Sequence, residues 1–323
     1  MVAFEASADI PSLTGKTILV TGGTSGLGKE TLFLLGPHSP SKLIFTGRNI
    51  VASENIIAEF QSRFPSVSIS FVRCDLASLG SVQKFARQVL ASNQQLDLVF
   101  AIAGVMAVPA ALTEDGYEVH FGVNHMAHAL LFKLLMPLLE RTAAATPSAD
   151  VRIISYSSDA SRSMAPDCGI DFDTLHTTQD VFYIMGEWRR FAQSKLANAI
   201  YARALAHHHP ELLAVSIHPG IAMTASVENL PFMSRMLVTS TTYSVAKSPM
   251  EVAMNGLWAA TSPRADGRGV QGEGRISRLG TVENGTFYRP IGELDTRIGL
   301  TQDDDLTTKL WDWTEQELKA WSV

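Results

Sequence analysis

Short β-branched runs alternate with longer segments of helical period over the first 220 residues. Lys16–Val20 (KTILV), Lys42–Thr46 (KLIFT), Val67–Val72 (VSISFV), Leu96–Ile102 (LDLVFAI), Val151–Ser155 (VRIIS) and Leu213–His218 (LAVSIH) read as six strands. Such short apolar runs suit strands covered on both faces. Apolar positions recurring every three or four residues predict helices near 27–36, 50–64, 79–93, 113–140 and 188–208. Strand–helix–strand order requires parallel pairing through right-handed crossovers, so the expected fold class is α/β, a doubly wound parallel sheet with helices on both faces.

After residue 220 the alternation loosens. Residues 225–246 mix apolar, Ser and Thr positions without a period and are expected to form a mobile lid over a site. Ser248-Pro249 with Glu251 predicts a capped helix over Ser248–Ala260. Thr286–Tyr288 reads as a seventh, edge strand, and 305–321, with Leu310, Trp311, Trp313, Leu318 and Trp321, as a terminal amphipathic helix docked by its aromatic face. Neither an internal repeat nor a low-complexity linker divides the chain, which predicts one domain over 1–323 with a sheet of about seven strands.

Composition narrows the function classes. With 46% hydrophobic and 18% charged residues in 323, disorder and coiled coil are excluded. A net charge of −6 sets the electrostatics against a nucleic-acid partner. Two cysteines, Cys74 and Cys168, cannot make a disulfide scaffold and point to a reducing, cytoplasmic setting. No metal is expected: the consecutive side chains of His207-His208-His209 point about 100° apart on a helix and cannot converge on one ion. The N-terminus has no basic region or apolar core of a secretory signal. The apolar stretch Leu98–Leu112 holds 15 residues and is too short to span a bilayer, so no transmembrane segment is expected.

The first strand runs into Thr21-Gly22-Gly23-Thr24-Ser25-Gly26-Leu27-Gly28 and then into helix. Glycines allow the sharp turn and close backbone approach that a pyrophosphate needs, and the free N–H groups of a helix start receive its charge. At the end of the second strand, where a carboxylate would bind the ribose 2′-hydroxyl of NAD, the chain reads Thr46-Gly47-Arg48-Asn49. A guanidinium there suits a 2′-phosphate, and NADP(H) is the cofactor this reading favours, although Arg48 in isolation is equally an ordinary solvated arginine. After the third strand, Asp75 of Cys74-Asp75-Leu76 could bind the adenine amino group or cap the next helix.

Taken together these motifs resemble the short-chain dehydrogenase/reductase family, whose Rossmann-type fold would extend over nearly the whole chain. The family's T-G-x-x-x-G-x-G is Thr21–Gly28, its Asp-Leu is Asp75-Leu76, and its N-N-A-G appears altered as Ala101-Ile102-Ala103-Gly104. Asn124 in VNHMAH, Ser158 in ISYSSDA and His218-Pro219-Gly220 match its later motifs. The NHMAH, FAQSKLAN and HPG segments look most like its retinol-dehydrogenase-like and WW-domain-oxidoreductase-like branch, with its fungal members. The resemblance implies that Gly22, Ser25, Leu27 and Gly28 of the phosphate turn, together with Leu76, Ala103, Lys195 and Ile221, bind the cofactor. It also implies that Thr224 is placed for the nicotinamide carboxamide. It implies hydride transfer between an alcohol and a ketone or aldehyde on a lipophilic small molecule such as a polyketide, terpenoid or retinoid-like compound. The oligomeric state stays open, since this branch includes monomers.

Family chemistry centres on Y-x-x-x-K, whose two side chains share a helix face. The tyrosine moves the proton, the lysine holds the ribose and lowers the tyrosine pKa, the serine orients the reacting oxygen, and the asparagine positions a water. Here the motif reads Phe191-Ala192-Gln193-Ser194-Lys195. Phe191 can fill the space but cannot transfer a proton, and removing a positioned acid or base costs about 10²–10⁴ in rate. Two readings stand. Either Phe191 is a Tyr→Phe change that impairs or traps an otherwise intact set (Asn124, Ser158, Lys195), or it is native and serves a non-redox isomerase, cyclase or lyase, or a silent NADP(H)-binding scaffold. Tyr156, Tyr183 and His125 are conceivable substitutes, but packing roles suit each better. Arg189-Arg190 reads as a solvated helix start, Asp303–Asp305 as the opening of the last helix, and Met223, Phe232, Met233, Met236 and Leu237 as an apolar lining of the lid.

Overall fold

The computed structural model describes residues 4–182, 184–221, 247–268, 280–295 and 299–322. Thr224, the expected lid 225–246 and Tyr183 lie outside the described residues. The six expected strands form as β1 Thr17–Val20, β2 Lys42–Gly47, β3 Ser68–Arg73, β4 Leu98–Ala101, β5 Arg152–Tyr156 and β6 Leu213–Ile217. β7 (Phe287–Arg289) joins β6 in parallel, and β8 (Glu293–Leu294) turns back to pair with it antiparallel. The order is β3-β2-β1-β4-β5-β6-β7-β8, a doubly wound sheet whose direction of growth reverses between β1 and β4.

The sheet thus has eight strands where about seven were expected, and β7 is interior where an edge strand was expected. A two-residue strand with both side chains exposed carries no readable period, so β8 leaves no signal in the pattern. The turn into it passes through Gly292 at φ +66°, beside the Trp258 ring.

Among the described residues, seven longer helices cover the sheet: α1 Gly26–Leu35, α2 Ile50–Arg63, α3 Leu79–Ser92, α4 Ala127–Ala144, α5 Gly186–His208, α6 Pro249–Thr261 and α7 Asp304–Glu317. Strand side chains alternate between two cores. Leu19, Ile44, Val99 and Ile153 face α3, α4, α5 and α7, while Ile18, Leu43, Phe45, Phe100 and Val215 face α1, α2 and α6. Helix starts follow local chemistry: Asn49 accepts the Ala52 amide at 3.0 Å, Ser248 and Glu251 form a capping box, and Asp303 accepts the Leu306 amide at 2.8 Å.

The helix expected from residue 113 begins later. Gly116 at φ +81° closes a turn, Val119–Phe121 makes one short helical turn, and Gly122–Met126 is π-helical before α4. α7 lies across α5 and α4: Trp311 stacks on His208 with ring centroids 4.0 Å apart, Arg203 pairs with Asp304, and Lys133 pairs with Glu315. The three consecutive histidines diverge as expected of a helix end, with His209 turned instead to Glu140 at 3.0 Å. Among the described residues, no helix is long and apolar enough to cross a membrane.

Candidate active site

The turn after β1 is a cradle built by backbone. Gly22 and Gly26 adopt φ +70° and +50°, and α1 starts at Gly26 with Ser25 making no side-chain cap bond, so its first amides are left to a ligand. A Cβ on Gly28 would fall on the Gly22 carbonyl oxygen, and one on Gly47 would strike Thr24. This cradle opens into a groove of about 410 Å³ lined by Gly22, Ser25, Leu27, Gly28, Arg48, Asp75, Leu76 and Ala103. The Asp75 Oδ1 accepts the Ala77 amide at 3.0 Å, while Ser78, not Asp75, is the cap residue of α3. Arg48 is exposed at the groove rim and has no hydrogen bond or ion pair among the described residues.

Thr21 ties this turn to the start of α4. Its Oγ1 accepts the Ala103 amide at 3.0 Å and lies 3.0 Å from His128 Nε2, while His128 Nδ1 lies 3.0 Å from the Asn124 carbonyl. That carbonyl can only accept, so His128 carries its proton on Nδ1, and its Nε2 accepts a hydrogen bond from the Thr21 hydroxyl. Burial holds the His128 pKa down at about 4, so the ring stays neutral and the chain of bonds is fixed.

Asn124 sits inside the π-helical segment, where the extra residue per turn breaks the regular ladder. Its Oδ1 accepts the Val105 amide at 2.8 Å, and its Nδ2 donates to the Val105 carbonyl at 3.0 Å and to Ser194 Oγ at 2.8 Å. A Cβ on Gly104 would come 2.7 Å from the Asn124 Oδ1 and 3.5 Å from Lys195 Nζ, so only glycine lets this backbone pass. One turn apart on α5, Phe191 and Lys195 face the same place, with Nζ 5.9 Å from the ring centre. Lys195 Nζ donates to the Tyr156 carbonyl at 2.8 Å, and burial lowers its pKa to about 8.

A second cavity of about 400 Å³ holds Ser158, Phe191, Lys195 and Ile221, and shares Leu27, Ile102, Gly104 and Val105 with the groove. Met106, Met164, Trp188 and Val252 make its walls apolar. Phe191 is 6% exposed and packs edge-on against Trp188, ring centres 6.2 Å apart. Asn124, Ser158, Phe191 and Lys195 are therefore brought to one locus, continuous with the groove.

The bland readings of the substitutes hold for two. Tyr156 sends its hydroxyl to the opposite face, against Gly256 of α6. β5 ends at Tyr156, so strand alternation does not carry on to Ser158. His125 bonds Thr314 of α7 at 3.0 Å. Arg190, expected to be solvated, is 5% exposed and lies 3.4 Å from Glu118, which is fully buried and also accepts from His120 Nδ1 at 2.7 Å. The reason is a buried partner distant in sequence, which no local pattern displays. Residues that the sequence reading passed over are Trp188 and the Asp159–Arg289 pair, whose guanidinium reaches both carboxylate oxygens at 2.5–3.1 Å. The spacing of Trp188 to Phe191 was the available signal for the first.

Comparison with known proteins agrees with this geometry. The short chain dehydrogenase family profile matches residues 16–168. The chain is 33% identical over 316 residues to a short-chain dehydrogenase/reductase of Armillaria gallica, covering 96% of this chain and 93% of that one. It is 29% identical to human retinol dehydrogenase 14, over 93% of this chain and 85% of the relative. The fold matches a short chain dehydrogenase of Escherichia coli CFT073 complexed with NADPH, with TM-score 0.59 at 19% identity, over 86% of this chain and 97% of that one. The cradle, groove and apolar cavity lie on a chain that belongs to the short-chain dehydrogenase/reductase family of oxidoreductases.

Proposed function

We propose that this protein binds NADP(H) and interconverts an alcohol and a ketone or aldehyde on a lipophilic small molecule, as one nucleotide-binding domain with 225–246 as its lid. The observation that carries the reading is the continuity of the glycine-built groove with the apolar cavity, which share Leu27, Ile102, Gly104 and Val105, with Lys195 beside Gly104. The residues fit the nucleotide: a Cβ at Gly28 would fill the cradle, and the uncapped amides of α1 suit its pyrophosphate. Arg48, exposed at the rim and without an ion pair among the described residues, suits the 2′-phosphate, and Asp75 suits the adenine amino group. Thr224 is assigned to the nicotinamide carboxamide by its motif.

A bound nicotinamide would supply hydride chemistry at the substrate carbon. Ser158 would orient the reacting oxygen and Lys195 would hold the ribose hydroxyls, while Asn124 fixes the Val105 backbone beside them. The apolar walls favour a substrate of the lipid-alcohol kind, in line with the names of the retinol dehydrogenase 14 and polyprenol dehydrogenase relatives.

Arg48→Asp tests the cofactor choice. Fluorescence titration is expected to show NADPH affinity falling at least about tenfold, as loss of a charge-assisted phosphate pair requires, with NADH then preferred. Unchanged NADPH affinity would overturn the assignment. A second expectation concerns pH. The Lys195 ammonium is the form that holds hydroxyl oxygens, and its pKa near 8 means this form is present below pH 8 and lost above it. NADPH affinity should therefore decline as pH rises through about 8, and Lys195→Met should flatten that dependence in titrations from pH 7 to 9.5.

A further inference from the structure

Trp188 lines the cavity with Ser158, Phe191 and Lys195 but carries no group that alcohol–carbonyl chemistry needs. It stands in the first turn of α5, three residues before Phe191, so the two side chains share a helix face. Their rings meet at 88° with centres 6.2 Å apart. The wall they make is anchored. The Trp188 amide donates to the Met185 carbonyl at 3.0 Å, and two residues on, Arg190 lies 3.4 Å from the buried Glu118.

Packing of the fold does not account for an indole here. Ala107, Trp188 and Phe191 form a small apolar cluster of their own, joined by Met106, Ala160 and Met164, apart from the two cores that hold the sheet. All of these but Ala107 line the cavity, so the cluster is built round that space. Trp188 is 8% exposed, and its Nε1 is buried with no hydrogen-bond partner among the described residues. A buried donor left unpaired is destabilising, and a phenylalanine or leucine would make an apolar wall without one. Because the nitrogen is shut away, what the ring offers the cavity is carbon. Its contribution there is bulk.

We propose that Trp188 is a specificity-determining residue: its indole is the end wall that limits how far the apolar part of the substrate extends beyond Phe191. The proposal rests on the alcohol–carbonyl reading above and deepens it to a substrate class. That class is a compact apolar alcohol or ketone whose chain or ring ends at the indole, not a long chain threaded past it. With the reacting oxygen at Ser158, the apolar body lies among Met106, Met164 and Phe191 and stops at Trp188. Each methylene added short of the wall leaves water, which is worth about fourfold in affinity. One added beyond it finds no room in a close-packed wall and gains nothing.

The experiment measures binding, which does not require residue 191 to move a proton. This chain, Trp188→Leu and Trp188→Ala, each loaded with NADP⁺, are titrated calorimetrically with straight-chain primary alcohols from butanol to dodecanol. NADP⁺ affinity and circular dichroism are recorded for each. In this chain, affinity is expected to rise about fourfold per methylene and then level off within the series. Trp188→Ala should move the break to longer chains by at least about three carbons, so that the longest alcohols bind at least about 30-fold tighter. Trp188→Leu should move it by at least about one carbon, in keeping with its smaller loss of volume. NADP⁺ affinity should stay within about threefold, since Trp188 does not line the groove.

A break that stays in place in Trp188→Ala, with circular dichroism and NADP⁺ affinity matching this chain, overturns the proposal and leaves the alcohol–carbonyl reading standing. So does affinity that rises without a break to dodecanol in this chain. If Trp188→Ala does not fold, Trp188→Leu decides by the same criterion. Binding of NADP⁺ without any of the alcohols overturns the lipophilic-substrate reading and the proposal with it. Failure to bind NADP⁺ at all overturns the cofactor reading itself.

Discussion

Gly28→Ala is expected to abolish nucleotide binding. The alanine Cβ would land on the Gly22 carbonyl oxygen, and that oxygen belongs to the backbone of the cradle, so no rotamer change relieves the clash. Gly22 cannot shift freely, because it already sits at φ +70° with Ala103 at 3.1 Å from its own Cβ position. The turn must open or the first turn of α1 must unwind, and either change scatters the amides meant for the pyrophosphate. An affinity loss of at least about 100-fold follows, equivalent to about 2.7 kcal/mol, within the range expected of overpacking. Titration with NADPH checks it, and circular dichroism separates lost binding from lost folding. An affinity within tenfold of the parent chain would show that the cradle is not where the nucleotide sits.

Glu118→Ala is expected to be the most destabilising single change near the site. Glu118 is fully buried, and its carboxylate accepts from the Phe121 amide at 2.8 Å and from His120 at 2.7 Å while facing Arg190 at 3.4 Å. Removing it leaves a guanidinium that is 5% exposed without its counter-charge. Breaking a buried pair from one side costs about 3–5 kcal/mol, whereas the net worth of the intact pair is far smaller. Urea unfolding should show the unfolding free energy falling by that amount, seen as a lower midpoint at unchanged slope. The double variant Glu118→Gln with Arg190→Met should recover part of the loss, since it removes the stranded charge. A loss below about 1 kcal/mol for Glu118→Ala would mean that Arg190 finds water in the folded protein. Because His120 and Trp188 flank the Phe191 ring at 6.4 and 6.2 Å, a surviving fraction should also bind substrate more weakly.

The parallel strands were legible because strands covered on both faces are written as unbroken apolar runs, and the turn after β1 because its glycines interrupt such a run just before a helix. β8 was not legible, being two exposed residues whose pairing is dictated by the turn before it. The start of α4 was misplaced because apolar spacing continues through a loop and a π-helical segment, and periodicity does not report the hydrogen-bond ladder. The groove residues could be named in advance, since Gly22, Ser25, Leu27 and Gly28 follow from the glycine turn, and Arg48, Asp75, Leu76 and Ala103 stand just after the next three strands. Asp159 with Arg289, and Glu118 with Arg190, could not, because each pair joins elements far apart in the chain and neither partner carries a local mark of burial.

The last helix has a bearing on how this chain could associate. α7 lays Trp311 across Tyr201 and His208 and clips Arg203 through Asp304, so this outer flank of α5 is already occupied by the chain's own C-terminal segment. A second copy could pair flank to flank along α5 only by peeling α7 away. That would expose the stacked rings and strip His125, buried beside the Asn124 segment, of its Thr314 hydroxyl. Self-association by that route would thus be bought with damage to the site each copy carries.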